Sequence, residues 1–530
     1  MPVNSTHPDY DVAAVEWSRA RDVMAGEDAV KAGGERYLPR LESQTDEEFA
    51  SYVRRASFFN ATARTAEAYQ GLIFRRPPFL KLPGTRAAEN GNPKSEIRNP
   101  KADGGAGVGR ALRDFADDVD LLGTSLTAYA KMVVGDVIGL GRAGTLIDWE
   151  DVAEQRAYAA FYRAEQIINW RVERVNGRNV PTLVVLAEKA ESGKLKASIG
   201  VGEDDFESCL VEQVRVLRLV PGQDGDVFYR VDLWQEKVVE RSWFGFGQQR
   251  GTREWVLVDS RIPLRLGKAL PLIPFVFHGP RHSRPDVDRG PLEDIVVVNL
   301  DHYRLDADFK HGLHFTALPT AWVSGFDKSA TLRIGSSTAW VAEAPGAAAG
   351  FLEFTGQGLT TFERAMDRDE RLMTVLGSRM LEDAKKVGET ATAIELRQSG
   401  EYSILGGVAF SVSESLTQVL HWIYWWNSTE ALPDDVTDSQ VLMTLNTDFS
   451  TKGLASQDVQ AIVAAWQAGA ISQDSMLELF RRGEVLPEGR TNEEEARLIE
   501  AGNPKTEIRN PKAVSGVNNK GASDGRAQSV

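Results

Sequence analysis

The sequence predicts an α+β protein: long central helices, an embedded β-rich subdomain and short helices towards the C-terminus. Three observations carry this. From Leu359 to Asn427 nearly every residue fits a helix. Leu359, Phe362, Met366, Met373, Leu376 and Met380 form one apolar stripe interrupted only by Asp369. Beyond Gly388 and Glu389-Thr390-Ala391-Thr392-Ala393, a second apolar face runs through Ile394, Leu405, Val408, Val412, Leu416, Val419, Ile423 and Trp426. Trp170 to Phe277 instead shows short β-runs separated by turns. Finally, Ser456–Ala468 and Ser472–Arg482 read as two short helices.

In chain order, Asp11–Leu41 is predicted as helix with a turn, threaded by Trp17, Met24 and Val30 and ended by Pro39. Thr45 followed by Glu48 is a capping-box signature, opening a helix expected to reach about Arg75 before Pro77-Pro78 stops it. Val108–Ala130 reads as helix, Val133–Trp149 as strand, glycine turn and strand, and Ala153–Ile168 as a short helix. Within the β-rich block the expected strands are 182–187, 211–220, 227–234, 254–258 and 272–277. Gly290-Pro291 opens a helix to Leu313, and strands follow at 320–323, 338–341 and 351–354. Between the last two, Ala344–Gly350 is a loop of small residues. Val441–Asn446 is a further strand, and the tail beyond Thr491 is polar and expected to be disordered.

GNPKSEIRNPKA at Gly91–Ala102 recurs at Gly502–Ala513 with only Ser95 replaced by Thr506. Asn-Pro pairs break helix and strand alike, so both copies read as exposed insertions that contribute nothing to function. Two copies so far apart do not make a stacked repeat fold.

Composition narrows the function classes. The 42% hydrophobic and 26% charged residues are ordinary for a folded soluble chain. The longest apolar runs fall far short of a membrane span, and Met1–Asp11 has no basic-then-apolar pattern, so neither a membrane role nor a secretory signal is expected. One cysteine, Cys209, rules out a disulfide framework. A net charge of −15 argues against tight nucleic-acid binding, which needs Lys and Arg on phosphates, but not against a wall along which DNA slides.

Motifs for chemistry are weak. Gly139-Leu-Gly141-Arg-Ala-Gly144 has dinucleotide spacing, but Thr145–Trp149 continues as strand where that fold requires a helix, so a hairpin turn is expected. Neither a P-loop nor a nucleophile elbow is present. His311-x-x-His314 with Asp308 has metal-ligand residue types without a supporting pattern, and Trp422, Trp425 and Trp426 lack interleaved cations, so a buried helix contact is expected there. No catalytic, cofactor-binding or metal residues are assigned.

Several stretches together resemble the portal proteins of tailed bacteriophages, in a branch long known only as a domain of unknown function. They are Trp17, Arg21-Asp22, Gly26-Glu27 and Tyr37-Leu38-Pro39; Ala56–Asn60; Gly139–Gly144 with Asp148; Ile273–Val276; Pro291-Leu292 with Asn299-Leu300 and His302-Tyr303; Glu389–Ala393 with Ser403 and Leu405; and Ala464, Trp466, Gly469–Ser472 and Gly483-Glu484. The resemblance spans most of 10–490 and rests on the order of the motifs; the repeat copies depart from it.

What the resemblance implies is a non-enzymatic homo-oligomeric ring, typically of about twelve copies, at the capsid vertex of a phage or prophage virion and in host cytoplasm during assembly. Double-stranded DNA passes through it for packaging and ejection, and the terminase large subunit, capsid and head–tail adaptor proteins are its partners. Such subunits have a wing, a stem of two helices, a clip that docks motor or adaptors, and a C-terminal helical crown. The corresponding division is 1–149 N-terminal helical wing region (86–108 the repeat insertion), 150–288 β-rich, 289–358 helix plus short strands as stem and tunnel-loop candidate, 359–427 long wing helices, 428–490 crown-like helices and 491–530 tail. Gly346, Gly350, Glu389, Thr390, Thr392 and Arg397 mark the candidate oligomer or channel segment. The competing readings are another phage head or head–tail adaptor protein, and a nucleotide-binding enzyme built on Gly139–Gly144 or the histidines.

Overall fold

The computed structural model of this chain describes residues 2–83, 103–150, 155–175, 177–191, 210–222, 227–239, 252–316, 320–325, 345–352, 358–379, 403–428, 441–447, 449, 456–482, 485–486, 492, 495 and 497–498. Both repeat copies and the expected strand 338–341 lie outside these residues. The chain forms two compact units, one of residues 1–85 and 97–449 and one of 86–96 and 450–530.

The first unit opens with α1 (Pro8–Ala25) and α2 (Glu27–Ala32). His7 accepts the Asp9 amide at the N-terminus of α1, and Pro8 supplies its first turn. The Thr45/Glu48 capping box is formed and opens α3 (Asp46–Arg55). The helix does not run on to Arg75. Ala56 turns extended, and α4 (Ala61–Ile73) starts afresh with the Asn60 side chain capping Ala63 N–H. After β1 (Phe79–Lys81), α5 (Asp103–Asp117) and α6 (Leu126–Leu140) replace the single helix expected over 108–130. The turn between them is closed by Asp118 and Asp120 carboxylates accepting the Gly123, Leu122 and Thr124 amides.

Two expectations are overturned here. Residues 133–140 are helix, not strand, because α6 is buried on nearly every side. Residues 156–163 are strand, not helix: β3 (Arg156–Arg163) follows β2 (Ala143–Glu150) and buries Ala157 and Ala159 at strand spacing. Next, β4 (Ile167–Val175), β5 (Arg178–Glu191), β6 (Leu210–Pro221), β7 (Val227–Val239) and β8 (Thr252–Arg261) form an antiparallel sheet in sequence order. A short hairpin of β9 (Leu264–Arg265) and β10 (Lys268–Ala269) leads to β11 (Phe275–His278), which pairs with β2 in a β11-β2-β3 sheet.

Then come α7 (Glu293–Thr316), β12 (Thr320–Ser324), β13 (Ala348–Leu352), α8 (Leu359–Arg379), α9 (Ile404–Asn427) and β14 (Leu442–Thr444), which pairs with β1. The small-residue loop is shorter than expected, since Ala348–Gly350 belong to β13. α9 is the centre of the unit. It packs on α5, α6, β2, β3, β11 and β14, and Leu405, Val408, Val412, Leu416, Val419 and Ile423 are all buried. Its small hydroxyls close the polar accounts of neighbouring backbone: Ser413 Oγ accepts Leu445 N–H at 2.9 Å and Thr417 Oγ1 accepts Met443 N–H at 3.0 Å. Trp422, Trp425 and Trp426 are buried; Trp426 stacks on Trp149 and the Arg265 guanidinium lies 4.2 Å over Trp425.

The second unit contains α10 (Ser456–Gln467) and α11 (Gln473–Arg482), as expected from the sequence. They pack on each other, and Ser472 caps α11 through Ser475 N–H at 3.0 Å.

Candidate functional site

The feature that stands out is a helix–hairpin–helix unit. α7 and α8 lie against one another along their lengths, and β12 and β13 pair antiparallel between them in sequence. The α8 side of the contact is the stripe foreseen from the sequence: Leu359, Phe362, Met366, Asp369, Met373 and Leu376 are the shielded positions, while Glu363, Arg364, Asp367, Arg368, Glu370 and Arg371 face water. Asp369 is buried in that seam, with one carboxylate oxygen 3.1 Å from the Arg368 guanidinium. His302 on α7 reaches Glu370 on α8 at 3.5 Å, and Tyr69 from α4 donates its hydroxyl to the Gly377 carbonyl.

The opposite face of α7 is fixed to the N-terminal helices. Asn299 Oδ1 accepts both the Thr62 amide (3.1 Å) and hydroxyl (2.9 Å), and its Nδ2 donates to Phe59 O at 2.7 Å. Asp306 accepts the Ser57 amide at 2.7 Å, and Tyr52 donates to Asp308. Burial, together with that hydrogen bond, pushes the Tyr52 phenol far above its usual range. These contacts explain the break at Ala56–Asn60: its backbone is needed by α7 rather than by a continuing helix.

The hairpin places Trp322 opposite Gly350, and a Cβ on Gly350 would come within 3.0 Å of the Trp322 ring. Gly346 stands in the preceding turn at φ +89°, in open space. Glu389, Thr390, Thr392 and Arg397 lie outside the described residues. Only the two glycines of the candidate channel segment are therefore placed, and they belong to one hairpin.

The other residues singled out from the sequence hold the fold together. Gly141 is the left-handed cap of α6, so the glycine motif ends a helix before β2; the hairpin expected there does not exist. A Cβ would lie 2.5 Å from Met24 Cε at Gly139, 2.7 Å from Asp288 O at Gly141 and 2.4 Å from Phe275 Cζ at Gly144, so all three are sites of close approach. Arg142 between them is buried, donates to Pro285 O at 2.6 Å and stacks on Trp170 and Phe277; burial pushes its pKa down to about 9, against the pull of Asp286, Asp288 and Asp9. Trp17 donates to Leu140 O at 3.0 Å, and Asp22 accepts the Tyr37 hydroxyl at 2.6 Å. Arg21 forks between Asp136 and Glu165, each at 2.9 Å; burial alone would lower its pKa, but the two carboxylates raise it.

Sequence reasoning missed His278. It is buried, with Nε2 2.7 Å from Thr145 Oγ1 and Nδ1 2.7 Å from Ser415 Oγ, and Tyr129 OH lies 2.7 Å from Thr145 Oγ1. A histidine beside a serine has the composition of a nucleophile pair, but both side chains of this one are sealed in the core, out of reach of a substrate. The Gly-Pro neighbour was the only local signal at His278, and it gives no hint of burial. Among the described residues no three His, Cys, Asp or Glu groups converge as metal ligands; of the suggested set, His311 packs edge-on against Tyr52 and Asp308 is engaged by the Tyr52 hydroxyl. Nor is any described helix long and apolar enough to cross a membrane.

The family described as a domain of unknown function (DUF4055) matches residues 291–427, the stretch from the entry of α7 to the end of α9. No curated protein matches the chain. Among solved structures it is similar to a chain from the neck of a native gene transfer agent (GTA) particle computed with C12 symmetry, at 11% identity over 86% of this chain and 98% of that one, with a TM-score of 0.33. A chain from the virion of the native GTA particle is 13% identical over 86% and 98%, TM-score 0.33. One from the neck of the empty particle, computed with C6 symmetry, is 12% identical over 83% and 95%, TM-score 0.33.

Proposed function

We propose that this chain is the portal subunit of a tailed bacteriophage or prophage, a structural protein that forms a ring at the capsid vertex through which double-stranded DNA is packaged and ejected. The observation that carries the reading is the α7–hairpin–α8 unit followed by the buried α9. It supports the reading because the resemblance implies a stem of two helices and a clip, and here two packed helices are joined in sequence by a paired hairpin. On this reading α7 and α8 together are the stem, the β12–β13 hairpin is the clip against which the terminase large subunit and head–tail adaptors dock, and α9 is the wing helix. α10 and α11 are the crown. The small-residue stretch with Gly346 and Gly350 then belongs to the clip rather than to a tunnel loop.

Electrostatics agree with passage rather than capture. The chain carries a net charge of −15, and the outer face of α8 alternates in sign, so neither offers the cationic surface on which phosphate binding depends. The protein resides in the virion, and in the host cytoplasm during assembly. Particle-mass measurement of the purified chain with negative-stain imaging, across protein concentration and salt, tests the reading. Closed rings of about twelve subunits with a central hole are expected; a chain that remains monomeric throughout would overturn it.

A further inference from the structure

The β9–β10 hairpin is built against its own backbone preference. Only Leu266 and Gly267 join its strands, and both have positive φ, +49° and +76°. A turn with two left-handed central residues favours Asn-Gly, because a side chain such as leucine gains nothing from that conformation. Leu266 is nevertheless there, and 72% of it is exposed. Leu264 beside it is 58% exposed, and Lys268 is open to solvent. A strained, projecting leucine with a flanking cation is the shape of a knob.

The same unit carries a socket whose lining contains no residue of the hairpin. α1 and the segment Val287–Arg289 flank an open groove of about 320 Å³. Val12, Ala13 and Trp17 give it apolar walls, and Val12, 72% exposed, leaves apolar surface open at its rim. Asp9, Glu16 and Asp288 make its edge acidic, while the one lining cation, Arg289, is paired with Asp294 at 2.6 Å.

We infer that the hairpin tip of one copy inserts Leu266 and Leu264 into the α1 groove of the next copy, with Lys268 set against Asp9 and Glu16. Knob and socket are different surfaces, so the contact is head-to-tail and propagates around a ring instead of closing a two-fold dimer. The inference rests on the ring reading above and adds to it a particular subunit contact.

The test uses the full chain and two readouts, thermal unfolding and particle mass. Leu266→Asn removes the knob while giving the turn its favoured residue, so the variant should unfold at the same or a higher temperature yet assemble at least tenfold less tightly. Lys268→Glu should weaken assembly as well, and combining it with Glu16→Lys should restore rings. If wild type forms rings and both Leu266→Asn and Lys268→Glu assemble like it, the contact is absent and the portal reading stands. If wild type is monomeric at every concentration and salt, the ring falls and this contact with it.

Discussion

His278 Nδ1 and Ser415 Oγ meet at 2.7 Å inside the core, where both side chains are closed off from water. Ser415 gives its own proton to the Val412 carbonyl at 3.0 Å, so its oxygen is free only to accept. The ring must then carry its proton on Nδ1, and Nε2 accepts from Thr145, whose oxygen in turn accepts from Tyr129. All hydrogen bonds run in one direction from β2 and α6 through β11 to α9. A chain of this kind strengthens each member and leaves none unsatisfied.

The protonation state of His278 makes stability depend on pH. Burial pushes its pKa down from 6.5 to about 3. Between those values the unfolded chain binds a proton that the folded one refuses. Stability is therefore fully present above pH 6.5 and falls as the pH drops towards 3, by up to about 1.4 kcal/mol per pH unit from this group. His278→Asn should cost about 2 kcal/mol at neutral pH, by leaving Thr145 without its acceptor, and should flatten the decline between pH 6 and 4. Denaturation midpoints for the two proteins that fall in parallel with pH would refute the assignment.

Arg21 joins α1 to both Asp136 on α6 and Glu165 before β4. Removing it leaves Asp136 shielded and unpaired, which is costlier than losing the attraction alone. Arg21→Met should destabilise by about 3 kcal/mol, and the double variant Arg21→Met with Asp136→Leu should recover part of that. A purely additive double variant would show that the pair is not coupled.

What could be read in the sequence was what local chemistry decides. The Thr45/Glu48 box, the α8 stripe, the strand runs of the meander and the two C-terminal helices all declare themselves within a few residues. The failures have a common cause. Val133, Val134, Val137 and Ile138 have strand propensity, but burial on all sides by α9, α4 and β2 makes them helix. A short helix was expected over Ala153–Ile168, yet pairing along β2 holds Arg156–Arg163 in a strand. The break at Ala56–Asn60 depends on Asn299 and Asp306, hundreds of residues away. In the candidate site the α8 face and the helix ending near Leu313 were legible, whereas their packing on each other and the hairpin pairing Trp322 with Gly350 were not, because no local pattern encodes which helix a stripe will meet.

Gly141 is the tightest point between α6 and the approach to α7. It combines φ +79° with a Cβ position 2.7 Å from Asp288 O, and a Cβ on Gly290 would lie 2.8 Å from Gly139 O. Gly141→Ala should therefore cost about 1–3 kcal/mol from backbone strain alone, with a lowered melting temperature. Gly346→Ala also places alanine at positive φ but meets open space, so it should cost less. Equal losses at the two sites would mean that the close approach at Gly141 contributes nothing.

Asp369 interrupts the apolar seam between α7 and α8 with a carboxylate that is 3% exposed and whose Oδ2 has no hydrogen-bond partner. Among the described residues the cation paired with it is Arg368, which lies next to it on the same helix with a side chain 75% exposed, so the pairing is too well solvated to offset the burial of charge. Asp369→Leu completes the stripe Leu359, Phe362, Met366, Met373, Leu376, and the subunit should gain about 1 kcal/mol or remain unchanged. Met373→Ala, which opens a void in the same seam, should cost about 2–3 kcal/mol. The contrast separates packing from polarity at this contact. If Asp369→Leu destabilises as much as Met373→Ala does, the carboxylate is holding the register of the two helices and the seam is not an ordinary apolar one.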